Sequence, residues 1–203
     1  FTGAIGTPPF TFTYNIDGGS SKTIKSASGQ NNVDLVLDTV PGTYIVNLSA
    51  VSDTFNCSQS QAGNVIITVD PLPQAAAGGN SSMCLNGTAN VSGATSANGT
   101  INWTHNGAGS LANPTTLTPS YTAGTADAGT AVTLTMTVTS SNTCNPQTAT
   151  AIYTVNVDSL PFAAAGGAAT ICQNATHTIS GTTARYGSIN WSHNGSGYLS
   201  KQT

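Results

Sequence analysis

TAVTLTMTVT, from Thr130 to Thr139, places a Thr at almost every second position and an apolar residue between. A strict period of two puts one set of side chains on each face of an extended chain, and β-branched Thr and Val favour that geometry. The stretch therefore predicts a strand with one buried face. Downstream, AIYTVNV at Ala151–Val157 alternates in the same way, and SSNTCNP at Ser140–Pro146 between them is a cluster of turn formers. Two alternating runs around such a cluster predict a β-hairpin.

The second run leads into VDSLP at Val157–Pro161, which has a counterpart in VDPLP at Val69–Pro73. Proline fixes φ and removes a donor, so both read as short stiff linkers. The likeness extends further: INWTHNGAG at Ile101–Gly109 returns as INWSHNGSG at Ile189–Gly197, 88 residues on. Val69–Leu111 laid on Val157–Leu199 keeps 24 identities in 43 positions. Such a period is well above the ~20–50 residues of solenoid repeats and matches one small β domain.

The boundaries then divide the chain into a partial module at 1–70 lacking its N-terminal part, a complete module at 71–158, and the start of a third at 159–203. In the complete module strands are expected near 74–77, 88–95, 100–105, 115–122, 130–140 and 148–158. That number of short strands fits a two-sheet immunoglobulin-like β-sandwich. The order Cys84, Trp103, Cys144 agrees with it. The fold class is all-β, as tandem sandwich modules, and the repeated phrase reads as a core strand carrying a buried Trp, Trp103 or Trp191, before an Asn-Gly turn.

Composition narrows function by exclusion. Charged residues are 5% of the chain, Glu is absent, and the basic residues are Lys22, Lys25, Arg185 and Lys201. Phosphate recognition needs clustered Lys and Arg, so nucleic acid is not an expected partner. No apolar run approaches the ~20 residues needed to span a bilayer. The residues 71–158 contain two carboxylates, Asp127 and Asp158, and no Lys or Arg. With Asp158 in a linker and Asp127 in a turn, no catalytic pair is expected. His105, His193 and His177 are candidate metal ligands by residue type, but zinc needs three or four converging donors. DGG at Asp17–Gly19 lacks the carboxylates for calcium and reads as a hairpin turn. No metal, no cofactor and no catalytic residue is expected.

Several stretches carry a family resemblance: the VDPLP linkers, TICQNAT at Thr170–Thr176, GTPPFTFTYNIDGG at Gly6–Gly19, and SNTC at Ser141–Cys144. Together they resemble the immunoglobulin-like and PKD-like repeats of very large Bacteroidota surface adhesins, including gliding-motility-type adhesins exported by type IX secretion. The resemblance implies an extracellular location on a Gram-negative surface and a role as stalk or adhesive segment. Its expected partners are neighbouring repeats of the same chain and a surface polysaccharide or solid substratum. An accessory, glycan-binding segment of a secreted enzyme is the alternative, and would show aromatics on an exposed face. In the suggested group Asp-Ser/Thr-aliphatic triplets are O-glycosylated, which makes Thr39 and Ser159 candidate acceptors. In an extracellular chain the four cysteines suggest one disulfide per module. Cys84–Cys144 is the pair available within the complete unit; pairing between modules is the other arrangement, since the two residues fall in loops at opposite ends of a standard sandwich.

Overall fold

The structure is a computed structural model and describes residues 1–37 and 40–200. The described residues form strands and one short 3-10 turn, with no α-helix. Two compact units are present: Phe1–Leu72 with Ser140–Gln147, and Pro73–Thr139 with the residues from Thr148 onward.

The first unit is an antiparallel sheet of β1 (Thr11–Ile16), β2 (Lys22–Lys25), β3 (Gly42–Ser52) and β4 (Ser58–Val69), in the order β2-β1-β3-β4. Alternation along β1 buries Phe12 and Tyr14 on one face, where Val46 of β3 and Phe10 join them. Phe1 stacks on Phe12 with ring centroids 5.4 Å apart and leans on Tyr14 at the same distance. The turn after β1 has Asp17 and Gly18 both at positive φ, and the Gly19 N–H returns to the Ile16 carbonyl. This is the turn whose twist matches paired strands, and the DGG stretch forms a hairpin as expected.

In the second unit the chain runs through β5 (Gln74–Ala76), β6 (Asn80–Cys84), β7 (Thr88–Asn90), β8 (Thr95–Ala97), β9 (Gly99–His105), β10 (Ser110–Ala112) and β11 (Ser120–Thr122). After the 3-10 turn Thr125–Asp127 come β12 (Thr130–Ser140), β13 (Thr148–Asp158), β14 (Phe162–Ala164) and β15 (Thr183–Arg185). One sheet has the order β6-β13-β12-β9, a second β10-β11-β7, and β5-β8 and β14-β15 are two-stranded. The stretch that opened the sequence is β12, with Val132, Leu134, Met136 and Val138 all buried and the Thr residues between them partly solvated. These side chains share one core with Tyr153, Val155 and Val157 of β13, Trp103 of β9, and Ala89 and Tyr121 from the opposing sheet. Apolar faces from two sheets meeting in one core define a sandwich. Each fully buried Leu, Met or Val contributes about 1.5–3 kcal/mol.

Two expectations need correction. Cys84 and Cys144 are not bridged, and all four cysteines are free thiols. Cys84 pairs in register with Asp158, at the end of β13 remote from the turn that carries Cys144. At ~3.3 Å per residue β13 is about 33 Å long, whereas a disulfide needs Cα atoms within ~7 Å. Trp191 is half-buried, unlike Trp103 at 2% exposure, so the two do not share one packing role here. Trp103 is covered by β11, β12 and β13; the residues around Trp191 form no strand, and no equivalent of those three follows it among the described residues.

The 88-residue period reappears in the backbone. β12 and β13 pair as Thr130↔Val157 through Met136↔Ala151, and β3 and β4 pair as Gly42↔Val69 through Leu48↔Gly63, every residue 88 positions earlier. Likewise β5–β8 pairs Gln74↔Ala97 and β14–β15 pairs Phe162↔Arg185. Gly78 and Gly166 are equivalent, and at each an added Cβ would collide with a carbonyl oxygen, that of Ser92 at 2.3 Å and of Ser180 at 2.0 Å. The strand ends match as well. Asn106 donates its N–H to the Thr133 carbonyl and accepts the Thr133 N–H on Oδ1, and Asp17 makes the same two bonds with Ile45. This aligns β1 with β9 and puts Tyr14 where the complete unit has Trp103.

Candidate functional site

The chemistry-bearing side chains of the complete unit gather where the repeated phrase INWTHNGAG leaves β9. The 3-10 turn Thr125–Asp127 brings Asp127 inward beneath that loop, to 4% exposure. Its carboxylate accepts hydrogen bonds from the Ala108 N–H at 2.7 Å, the Gly124 N–H at 2.8 Å and the Tyr121 hydroxyl at 2.7 Å. The Tyr121 hydroxyl in turn accepts the Gly109 N–H at 2.8 Å. The His105 ring lies tilted over Tyr121 at 5.1 Å between centroids, and its Nδ1 donates to the Gly107 carbonyl at 3.2 Å.

The glycines of the phrase are there for this cluster. A Cβ on Gly107 would stand 2.1 Å from the Tyr121 hydroxyl, and one on Gly109 would stand 2.0 Å from the Thr122 carbonyl oxygen. Only bare backbone lets the loop close over the tyrosine. Burial raises the proton affinity of Asp127, but the N–H of Ala108, the Tyr121 hydroxyl, the N–H of Gly124 and the nearby His105 outweigh it and hold the carboxyl below its ordinary value. Burial and then donation to Asp127 push the Tyr121 hydroxyl up to about 12, against the opposing pull of the Gly109 N–H. A carboxylate saturated with internal donors and a fully buried tyrosine that is harder to ionise make a clasp between the β9 loop and the 124–127 turn.

The other sequence candidates lie apart from this cluster. Asp158 is exposed at the end of β13, where its carbonyl accepts the Leu85 N–H. His177 and His193 are exposed, and His193 repeats the local bond of His105, with Nδ1 donating to the Gly195 carbonyl at 3.0 Å. No group of three or more His, Cys, Asp or Glu comes together among the described residues. Nor is any helix among them long and apolar enough to cross a membrane. Ser159 is half-buried, and Thr39 lies outside the described residues. Trp103 is spent in the core, where its indole N–H donates to the Thr116 carbonyl at 3.0 Å. Tyr121 was not singled out from the sequence; the glycines at Gly107 and Gly109, marking a loop drawn tight over something, were the available signal.

Comparison of the chain with protein-family models and with curated proteins finds no match.

Proposed function

We propose that this chain is a run of tandem β modules from a long bacterial cell-surface adhesin or filament. It acts there as a stalk and as a multivalent attachment segment outside a Gram-negative cell, in the manner of the gliding-motility adhesins its motifs resemble. The observation that carries this reading is the recurrence of one strand register every 88 residues, in β3–β4 and β12–β13 and again in β5–β8 and β14–β15. A chain that restates one scaffold while varying its surface builds length and copy number. Many weak contacts in series give strong attachment without a deep pocket in any one module. The buried polar side chains support the same view: Asp127 and Tyr121 turn their functional atoms toward backbone N–H groups of their own unit and make it rigid. With Trp103 in the core, that aromatic is not available as a sugar-stacking platform.

The test is adhesion as a function of copy number. Beads carrying increasing densities of the chain are allowed to settle on polysaccharide-coated and bare glass and are then sheared off. Retention that climbs steeply with density, while free chain shows no saturable binding, is the expected result. Tight one-to-one binding of free chain to a defined glycan would replace this reading with that of an accessory binding module.

A further inference from the structure

We propose that Asn106–Gly107 is a self-modifying pair, in which the Gly107 nitrogen attacks the Asn106 side-chain amide and the exposed end of β9 passes from neutral asparagine to anionic aspartate. The residues 71–158 hold three Asn-Gly pairs, Asn86–Gly87, Asn98–Gly99 and Asn106–Gly107. Glycine sets no Cβ beside the attacking nitrogen, so each pair has the chemistry to close a five-membered ring. The fold treats the three differently. The Gly87 N–H is held by the Cys84 carbonyl at 2.9 Å. Gly99 is already the first residue of β9, where an added Cβ would stand 2.3 Å from the Thr139 carbonyl oxygen. Gly107 lies beyond the strand, and its N–H has no hydrogen-bond acceptor among the described residues.

The group to be attacked is prepared as well. Asn106 is exposed, while its Oδ1 accepts the Thr133 N–H at 2.8 Å. A backbone donor on an amide oxygen draws charge from Cγ and stabilises the oxyanion that forms when that carbon is attacked. The bond between the Gly107 nitrogen and Cγ forms, the Cγ–Nδ2 bond breaks, and Nδ2 leaves as ammonia with the proton that Gly107 gives up. Water then opens the ring. Adding at Cγ, it returns a proton to the Gly107 nitrogen and leaves aspartate; adding at the backbone carbonyl, it leaves isoaspartate, with the chain routed through the side chain. The Thr133 N–H polarises the first of these carbonyls and so favours aspartate. The product also fits its surroundings, because Asp17 of the first unit makes the same two bonds with Ile45, the side-chain one at 2.7 Å. There the Gly18 N–H is occupied by Asn15 Oδ1 at 3.2 Å, whereas the residue two before Asn106 is Thr104, whose side chain makes no such bond. The conversion gives 71–158 a third negative charge beside Asp127 and Asp158, in a stretch with no Lys or Arg.

The experiment incubates the whole chain in mildly alkaline buffer, folded and in urea, digests it with pepsin, and reads the peptides by mass spectrometry with fragmentation that separates aspartate from isoaspartate. In the folded chain Asn106 is expected to convert ahead of Asn98 and about tenfold faster than Asn86, the factor set by one hydrogen bond that must break before attack. Its product should be mainly aspartate in the folded chain and mainly isoaspartate in urea, where the Thr133 donor is gone. Asn106→Gln, whose longer side chain closes a six-membered ring poorly, should abolish the conversion at that position. Asn106→Asp, the product itself, should fold and keep the parent's urea midpoint. Conversion of Asn86 or Asn98 ahead of Asn106, a product ratio at position 106 that is the same in both states, or loss of the fold in Asn106→Asp would each overturn the proposal.

Discussion

Tyr121→Phe removes one oxygen atom and breaks two bonds of the clasp. Asp127 loses the hydroxyl donor at 2.7 Å, and the Gly109 N–H loses its acceptor at 2.8 Å. Tyr121 is fully buried, so water does not replace either partner without the loop opening. A hydrogen bond to a charged group is worth about 1.5–3 kcal/mol, and a buried N–H left without an acceptor costs about 1–3 kcal/mol. The two effects share one atom, and a net loss of about 3 kcal/mol is expected, or ~12–24 °C in Tm for a domain of this size. The substitution also has a pH signature. Because the folded pKa of Tyr121 is raised from 10.0 to about 12, its stabilising effect is complete below pH 10 and disappears as pH rises through 12. The difference corresponds to about 2.7 kcal/mol. Urea unfolding followed by Trp103 fluorescence, in a Trp191→Phe background, measures both. The parent should lose stability steeply between pH 10 and 12, and the Phe variant should lack that part of the decline. A variant within about 0.5 kcal/mol of the parent, with the same alkaline profile, would refute the clasp.

Other outcomes follow from the same geometry. Trp103→Ala should cost about 3–5 kcal/mol, as aromatic core truncations do, measured by the same denaturant titration. Gly109→Ala should destabilise by about 1–3 kcal/mol, because its methyl meets the Thr122 carbonyl at 2.0 Å; Gly197→Ala, whose Cβ meets nothing within 4 Å, should be neutral in the same assay. The carboxyl of Asp127 is held below its ordinary 3.8, so its stabilisation is present above that pH and lost as pH falls through the lower folded value; acid unfolding of Asp127→Asn should be shallower there than that of the parent. Trypsin acting on the denatured, reduced chain should leave Ser26–Arg185 whole, since no Lys or Arg lies between Lys25 and Arg185, and mass spectrometry reads the fragment directly.

Strands whose burial is set by their own alternation were legible in the sequence. β12 and β13 occupy 130–140 and 148–158 as expected, and β9 lies within a residue of its predicted bounds. What was missed has no such internal signal. NSSMC of β6 is short and polar apart from Met83 and Cys84, and it becomes a strand because β13 offers it an edge. β8 and β10 are three residues each, too short for a period to show. The disulfide expectation rested on the count of cysteines in an extracellular chain, which carries no position; as the last residue of β6, Cys84 is tied to Asp158.

The clasp was hidden for a different reason. Its two titratable members come from strand β11 and the 3-10 turn after it, and the sequence shows only their imprint, a pair of glycines that tolerate no side chain. At Gly195 and Gly197 the same glycines recur with nothing within 4 Å of an added Cβ. The spelling of INWTHNGAG is thus set by an Asp and a Tyr located 12 to 20 residues beyond Gly107 and Gly109. The Asx bond at the end of the strand requires less, one side-chain oxygen, and accordingly it survives as Asp17 in the first unit, where Trp103 has given way to Tyr14. Backbone register and the Asx turn are therefore features that the first unit and the complete one share. A search for further modules of this kind should weight alternation and the Asx-Gly turn above the tryptophan.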